Sequence, residues 1–149
     1  MCKKSLFLFS FFISSISVGN VISPCTILRQ AKKLNSLDPK LVLAVAQVES
    51  TGNSNVMNKD QYGLMQIKLS TARMLGFKGR PKELLQWKTN LALGIKYLNE
   101  KLKKYGNVQA ASAAYNAGTV YIKWARFVNQ AYVDRVMSQY KKLSYLKCI

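Results

Sequence analysis

The segment from Asp38 to Ser50, DPKLVLAVAQVES, constrains the fold of this chain most strongly. Its aliphatic positions form one continuous arc when successive residues are turned by about 100°: Leu41, Val42, Val45, Ala46 and Val48. Asp38, followed by Pro39, is suited to cap the start of a helix, and Gly52 is suited to end it. The pattern predicts an amphipathic helix whose apolar face other elements must cover. Glu49 breaks the pattern, because it projects into the apolar arc.

Helical patterns separated by turn signals continue along the rest of the chain. Helices are predicted from Ser23 to about residue 35, from Ser70 to Gly76, over about 89–105, over 108–118, and once or twice within 121–143. The polar segment 51–62 predicts a loop, and the apolar run 63–68 a small strand or irregular turn. The predicted fold class is therefore α+β and predominantly helical.

The N-terminal 19 residues have the pattern of an export signal. Two lysines precede the apolar run LFLFSFFISSISV, and Ser17 and Gly19 suit a cleavage point before Asn20. The run is short for crossing a bilayer, so we expect a signal peptide, with an uncleaved membrane tether as the alternative. The remaining residues, 20–149, are enough for a single domain of a periplasmic or secreted protein.

Two cysteines, Cys25 and Cys148, lie near the two ends of that domain. In an oxidising compartment they are expected to pair and to close nearly the whole domain into one loop. Two unpaired thiols are the alternative. With no histidine nearby they are too few for a zinc site, so we expect no metal.

Composition excludes several classes of function. The formal net charge of +17 favours nucleic acid, anionic lipid or an acidic cell-wall polymer, or else reflects a solvated lysine-rich surface. An exported chain rarely meets nucleic acid and no basic-aromatic motif stands out, so we predict no nucleic-acid partner.

The absence of histidine excludes Ser-His-Asp and Cys-His catalysis. Acid–base chemistry must use one of six acidic residues: Asp38, Glu49, Asp60, Glu83, Glu100 and Asp134.

Glu49 has the surroundings best suited to acid catalysis. Partial burial against valines and a place in the last turn of a helix, near the negative end of its dipole, both raise a carboxyl pKa. An acid still protonated near neutral pH can protonate a glycosidic oxygen. The alternative is an exposed glutamate that touches the core only through its methylene groups. Asp60, in the polar loop, is a second candidate carboxylate.

Further motifs accompany the pair Glu49–Ser50: GLMQI at 63–67, AYNAG at 114–118 and YV at 132–133. In order and approximate spacing the set resembles the soluble lytic transglycosylase family, from about residue 39 to residue 143. Exported, compact and basic members with this layout resemble the enzymes that open the wall for bacterial secretion machines. The resemblance implies a lysozyme-like fold and cleavage of the β-1,4 bond between N-acetylmuramic acid and N-acetylglucosamine in peptidoglycan.

The resemblance also implies a mechanism with a single catalytic acid. Glu49 first protonates the leaving oxygen and then, as a base, takes the proton of the muramoyl C6 hydroxyl. That hydroxyl attacks C1 and closes a 1,6-anhydro ring, so no water is consumed. A nucleophile already held in the substrate is efficient and removes the need for a second carboxylate. No cofactor is implied.

The resemblance implies substrate-binding roles for seven residues: Ser50, Asn58, Met65, Gln66, Tyr115, Asn116 and Tyr132. Ser50 would support the loop of the acid, and Met65 and Gln66 would line the saccharide groove. Tyr115 would donate to Glu49 or to an N-acetyl group, and Asn116 would hold the helix end or the substrate. Core packing is the alternative for Met65 and for Tyr132.

One departure from the family pattern concerns the loop after the acid, where Asn53 is followed by Ser54 and not by proline. Two other functions are carried forward: a hydrolytic muramidase similar to goose-type lysozyme, and a basic wall-binding module without catalysis. The preferred prediction is a monomeric transglycosylase whose partners are peptidoglycan glycan strands and proteins of a secretion apparatus.

Overall fold

The structure, a computed structural model, describes residues 20–143 and 146–148. The helices are α1 (Pro24–Lys33), α2 (Pro39–Ser50), α3 (Leu69–Met74), α4 (Trp87–Tyr105), α5 (Val108–Ala117) and α6 (Gln130–Lys142), with a 3-10 helix over Pro81–Leu85. The strands are β1 (Met57–Asn58), β2 (Gln61–Tyr62), β3 (Ile67–Lys68), β4 (Ile122–Lys123) and β5 (Arg126–Phe127). The α+β, predominantly helical class is confirmed. The predicted signal peptide, residues 1–19, lies outside the described residues.

The central element is α2, which packs against α1, α4 and α6. Asp38 caps it, because its Oδ1 accepts a hydrogen bond from the Leu41 amide at 2.9 Å. Thr51, with φ of +53°, ends it in the left-handed conformation. The sequence predicted one apolar face, but Leu43 and Ala44 on the other side are fully buried as well. The helix is enclosed because several helices pack around it.

Most predicted helices are present, and the departures from prediction are local. Helix α4 begins at Trp87, two residues before the predicted start, and ends at Gly106 as predicted. Helix α3 begins directly after β3, so Ser70 lies inside it and is not its N-cap. The segment predicted as a loop contains β1 and β2, which form an antiparallel sheet with β3 in the order β1-β2-β3.

The segment from Tyr121 to Val128 is a β-hairpin and not the additional predicted helix. Strands β4 and β5 pair antiparallel, and the two residues between them, Trp124 and Ala125, have φ of +54° and +59°. These left-handed angles are incompatible with a continuing α-helix. Helix α6 therefore starts only at Gln130.

Three links hold the two ends of the domain in place. The predicted disulfide between Cys25 and Cys148 is present. The Ile22 amide donates to the Gly52 carbonyl at 2.8 Å. The amide and the hydroxyl of Ser54 both donate to the Asn20 carbonyl, each at 3.1 Å. Proline lacks an amide hydrogen, so the serine at this position has a structural reason. Among the described residues no helix is both long and apolar enough to span a membrane.

Candidate active site

Glu49 lies half-buried in the last turn of α2. The hydroxyl of Tyr132, on α6, donates to its Oε1 at 2.7 Å. Burial raises the pKa of the carboxyl, while the Tyr132 hydrogen bond and the positive charge of Arg135 lower it. Burial is the largest of these effects, so the pKa of Glu49 is raised above its ordinary value of 4.5. The carboxyl therefore keeps its proton to higher pH than an exposed glutamate.

A cavity of about 180 Å³ opens beside this carboxyl. It is lined by Glu49, Gln61, Gln66, Ile67, Lys68, Thr71, Tyr97, Tyr115, Asn116, Ala117 and Gly118. Three of the seven residues predicted to bind substrate lie in this lining, namely Gln66, Tyr115 and Asn116. The structure thus brings the end of α2, the 63–68 segment and the end of α5 together around Glu49.

The turn that carries Gln66 requires glycine at position 63. Gly63 has φ of +72°, and a Cβ atom there would lie 2.7 Å from the Leu84 carbonyl oxygen. The fully buried Asn90 fixes the same turn: its Oδ1 accepts from the Met65 amide at 2.7 Å. Its Nδ2 donates to the carbonyl oxygens of Tyr62 and Leu84 at 2.6 and 2.8 Å. One helix side chain therefore holds the backbone of the turn in shape.

Gln66 both lines the cavity and closes the turn. Its Nε2 donates to the Gly63 carbonyl at 2.9 Å and to the Val56 carbonyl at 3.0 Å. Both hydrogen bonds use the amide nitrogen, and the other end of the amide group, Oε1, is an acceptor. Its backbone has φ of +47°, an uncommon conformation for a residue with a side chain. The surrounding hydrogen bonds maintain this conformation.

Tyr115 differs in its hydrogen bond from the sequence prediction. Its hydroxyl donates to the Met65 carbonyl at 2.8 Å, and not to Glu49. The ring lies 5.3 Å from the Tyr97 ring, measured between centroids. Burial, then the charges of Glu49 and Tyr97, raise the pKa of Tyr115 well above 10, so the phenol stays neutral. Tyr115 therefore joins α5 to the 63–68 turn while its ring forms part of the cavity.

Asn116 takes the first of the two roles considered for it. Its Oδ1 accepts a hydrogen bond from Asn129 Nδ2 at 2.8 Å, and Asn129 also donates to the Ala113 carbonyl at 3.0 Å. Asn116 thus holds the end of α5 to the segment before α6. It remains exposed and lines the cavity, so a ligand can reach it.

Four of the seven predicted residues do not line the cavity: Tyr132, which bonds to Glu49, and Met65, Ser50 and Asn58. Met65 is fully buried and packs so closely on Gly94 that a Cβ atom there would lie 2.8 Å from its side chain. Its side chain belongs to the core and does not line the groove. Ser50 is buried and donates to the Leu64 carbonyl at 2.8 Å, which ties α2 to the turn. Asn58 is exposed on β1 and does not line the cavity.

Of the six acidic residues of the chain, Glu49 alone lines the cavity. Asp38 caps the opposite end of α2, and Glu83 pairs with Arg80 at 2.9 Å. Asp60, the second candidate carboxylate, is exposed between β1 and β2. The described residues contain no cluster of three or more metal-ligating side chains. Glu49 is therefore the one carboxyl that lines this cavity.

Several lining residues were missed by sequence reasoning. The cavity lining also includes Gln61, Lys68, Thr71 and Tyr97. Asn90 supports the cavity through its hydrogen bond to the 63–68 turn. A signal existed for two of them, because Asn90, Gly94 and Tyr97 recur at helical spacing on one face of α4. Gln61 and Lys68 lie in β2 and β3, and Thr71 lies in α3 directly after β3; the pairing of these short strands was not predicted.

A sequence model of the transglycosylase SLT domain matches residues 26–136. The chain belongs to this family. Over 105 residues this SLT domain is 35% identical to a transglycosylase of Enterobacteria phage PRD1, a match that covers 68% of the chain and 37% of the phage protein.

Two solved structures are similar to this SLT domain. The first is an inactive mutant of the lytic transglycosylase Slt of Pseudomonas aeruginosa, with a TM-score of 0.64, 25% identity and coverage of 82% of the chain and 24% of that protein. The second is the 70 kDa soluble lytic transglycosylase of Escherichia coli, with a TM-score of 0.54 and 27% identity. That match covers 76% of this chain and 18% of the E. coli protein. The predicted lysozyme-like fold is confirmed. The SLT domain spans less than two fifths of the length of each of these relatives.

Proposed function

We propose that this SLT domain is a peptidoglycan lytic transglycosylase. It cleaves the β-1,4 bond between N-acetylmuramic acid and N-acetylglucosamine and leaves 1,6-anhydromuramoyl ends. The observation that carries the proposal is the position of Glu49, a half-buried carboxyl that is alone among the acidic residues in lining the cavity.

In the first step Glu49 acts as the general acid. Because burial raises its pKa, a useful fraction of the carboxyl is protonated where an exposed glutamate would be ionised. It transfers that proton to the glycosidic oxygen while positive charge develops at C1 of the muramoyl sugar. The Tyr132 hydroxyl donates to Oε1, and this bond strengthens as the carboxylate forms.

In the second step the same carboxylate acts as the general base. It takes the proton from the muramoyl C6 hydroxyl, whose oxygen bonds to C1 and closes the anhydro ring. The proton returns to Glu49, so the enzyme ends in its starting state. An attacking hydroxyl within the substrate fits a cavity with one carboxyl, whereas most glycosidases flank the bond with two.

The other lining groups can position the sugars. Gln66 Oε1 accepts from an amide or hydroxyl hydrogen of the ligand, and Asn116 offers a side-chain amide at the exposed rim. The rings of Tyr97 and Tyr115 supply an apolar wall. These contacts hold the reacting C6 hydroxyl near C1.

The decisive test is digestion of purified sacculi by wild-type protein and by the Glu49→Gln variant. Glutamine still accepts the Tyr132 hydrogen bond but cannot transfer a proton, so we expect activity to fall by at least about 1,000-fold, on the scale of general acid–base catalysis. Glu100→Gln, on the exposed surface of α4, is the matched control and should leave activity unchanged. Clearance of sacculi by the glutamine variant at the wild-type rate would refute the assignment of the acid.

Mass spectrometry of the products separates transglycosylation from hydrolysis. We expect 1,6-anhydromuramoyl ends and no solvent oxygen in products formed in ¹⁸O-labelled water. Reducing ends carrying that label would identify a hydrolytic muramidase instead. Wall binding without any cleavage would identify a non-catalytic module.

We also propose an extracytoplasmic site of action, in the periplasm or outside the cell, where local opening of the wall serves a secretion system. The export-signal pattern of residues 1–19 and the Cys25–Cys148 disulfide support an oxidising compartment. The resemblance of this layout to exported, compact, basic family members that accompany secretion machines supports recruitment to such an assembly. Co-purification of the protein with secretion-apparatus components after cross-linking in cells tests that association.

A further inference from the structure

The β4–β5 hairpin carries a cluster of exposed apolar side chains outside the cavity. Its members are Tyr121, Ile122, Trp124 and Val128, and Trp124 at the tip is 88% exposed. The tip has left-handed angles at both central positions, where glycine, asparagine and aspartate are favoured. The sequence instead places an indole and a methyl group there. An unfavourable backbone that displays a large aromatic to solvent indicates a binding role.

Both ends of the hairpin are fixed to the rim of the cavity. Before the hairpin, Gly118 lines the cavity, and its carbonyl accepts from Lys101 Nζ at 2.6 Å. After the hairpin, Asn129 donates to Asn116, another lining residue. Trp124 is six positions after Gly118, so their Cα atoms lie within about 22 Å of each other. A long ligand bound at Glu49 can therefore reach the hairpin.

The cavity itself is too small for a polymeric substrate. Its volume of about 180 Å³ is below the range of about 300–1,000 Å³ found for pockets that enclose a small ligand. A glycan strand held at Glu49 must continue over the surrounding surface. An exposed surface next to the rim then contributes to binding of the strand.

The side chains of the hairpin match the chemistry of peptidoglycan. The flat face of an indole packs against the C–H faces of a pyranose ring while its N–H remains free to donate. Lys123 and Arg126 are directly opposite each other in the register, beside the tip. Their positive charges complement the carboxylates of the peptide stems that alternate sugars carry.

We propose that the β4–β5 hairpin is a second binding site for the peptidoglycan strand, outside the cavity. Trp124 stacks on a sugar ring, and Lys123 and Arg126 bind stem-peptide carboxylates. The choice of substrate rests on the proposed function. The hairpin contributes to binding of the polymer and takes no part in bond cleavage.

The test is a pull-down with purified sacculi, in which every variant also carries Glu49→Gln so that the strand stays intact. We expect Trp124→Ala to weaken binding at least fivefold and Trp124→Phe to retain most of it. Met74→Ala, which removes another exposed apolar side chain, on α3 and 67% exposed, is the matched control and should bind as the parent does. Thermal unfolding of each variant shows whether the fold is intact.

A second arm separates the two kinds of contact. Lys123→Ala combined with Arg126→Ala should weaken binding to intact sacculi but not to glycan strands freed of stem peptides by an amidase. Trp124→Ala should weaken binding to both. Equal binding of Trp124→Ala and its parent to sacculi overturns the proposal. Binding to vesicles that contain phosphatidylglycerol is measured in parallel. A loss of binding confined to these vesicles also overturns the proposal, because it would identify a membrane surface as the ligand. If the wild-type protein fails to cleave sacculi yet Trp124→Ala still binds them poorly, the proposed reaction fails and the hairpin site stands.

Discussion

Glu49 is subject to opposing influences that together suit both halves of the proposed reaction. Burial in the last turn of α2 favours the neutral acid, and the Tyr132 hydroxyl and the Arg135 charge favour the carboxylate. A residue that must give up a proton and take one back needs neither form to be strongly preferred. The partners on α6 therefore limit the rise in pKa that burial alone would cause.

Replacement of Tyr132 by phenylalanine tests this balance. Loss of the 2.7 Å hydrogen bond removes a contact that favours the charged form, so the pKa of Glu49 should rise further. The first step needs the protonated acid, and the basic limb of the pH profile of kcat/KM should therefore move to higher pH. We also expect kcat to fall about tenfold or more, because the developing carboxylate loses a donor.

Tyr140→Phe is the matched control for that profile. Tyr140 lies on the same helix, and its hydroxyl donates at 2.8 Å to Asp38, a carboxylate at the other end of α2. Its loss should leave the pH profile unchanged. A Tyr132→Phe profile that keeps its basic limb, or moves it to lower pH, would contradict the role assigned to the hydrogen bond.

At the scale of elements, the 63–68 turn connects three helices at the cavity. Ser50 at the end of α2, Asn90 near the start of α4 and Tyr115 on α5 all bond to its backbone. Each of these bonds joins residues at least 14 positions apart in the sequence. The turn is thus shaped by its neighbours and in turn fixes the position of Gln66.

Gly63→Ala should disrupt this turn more than a positive φ alone explains. A left-handed conformation costs a residue with a Cβ atom about 1–2 kcal/mol. At position 63 the Cβ would also lie 2.7 Å from a backbone oxygen, so we expect a total loss of about 3 kcal/mol or more in the free energy of unfolding. Denaturation in urea measures the loss, and activity on sacculi should fall with it.

Gly106→Ala provides the comparison, since Gly106 has nearly the same φ, +73°. A Cβ atom there would meet no non-neighbouring atom of the described residues within 4 Å. The Gly106→Ala variant should lose only the free energy of unfolding that the left-handed conformation costs, about 1–2 kcal/mol, and should keep its activity. Equal losses at the two positions would mean that the contact with the Leu84 carbonyl is relieved at little cost.

Elements with local signals were predictable, and those that depend on distant contacts were not. Asp38 marks the start of α2 and Gly106 the end of α4, and the apolar arc of α2 placed Glu49 beside the core. The hairpin tip was missed because Trp124 and Ala125 lack the turn chemistry of Asn-Gly. The partner of the Tyr115 hydroxyl lies 50 residues away and depends on how α5 packs against the turn.

At the scale of the whole molecule, residues 20–25 stabilise the region behind the active site. The Asn20 carbonyl accepts two hydrogen bonds from Ser54, and Ile22 bonds to Gly52, in the loop that directly follows Glu49. Helix α1 then packs against α2, and its Cys25 joins the C-terminal segment. The N-terminal segment thus covers the end of the helix that carries the acid, on a side that does not line the cavity.

The disulfide should therefore contribute to stability and not to chemistry. Cys25 and Cys148 are 123 positions apart, so the bond restricts nearly the whole unfolded chain. We expect Cys25→Ser combined with Cys148→Ser to lower the free energy of unfolding by about 2–5 kcal/mol in urea titrations. Wild-type protein treated with a reductant should show the same loss.

Turnover of sacculi well below the unfolding temperature should be unchanged, because neither cysteine lines the cavity. A double variant that keeps its stability but loses activity would instead assign the disulfide-linked segments a direct part in positioning Glu49.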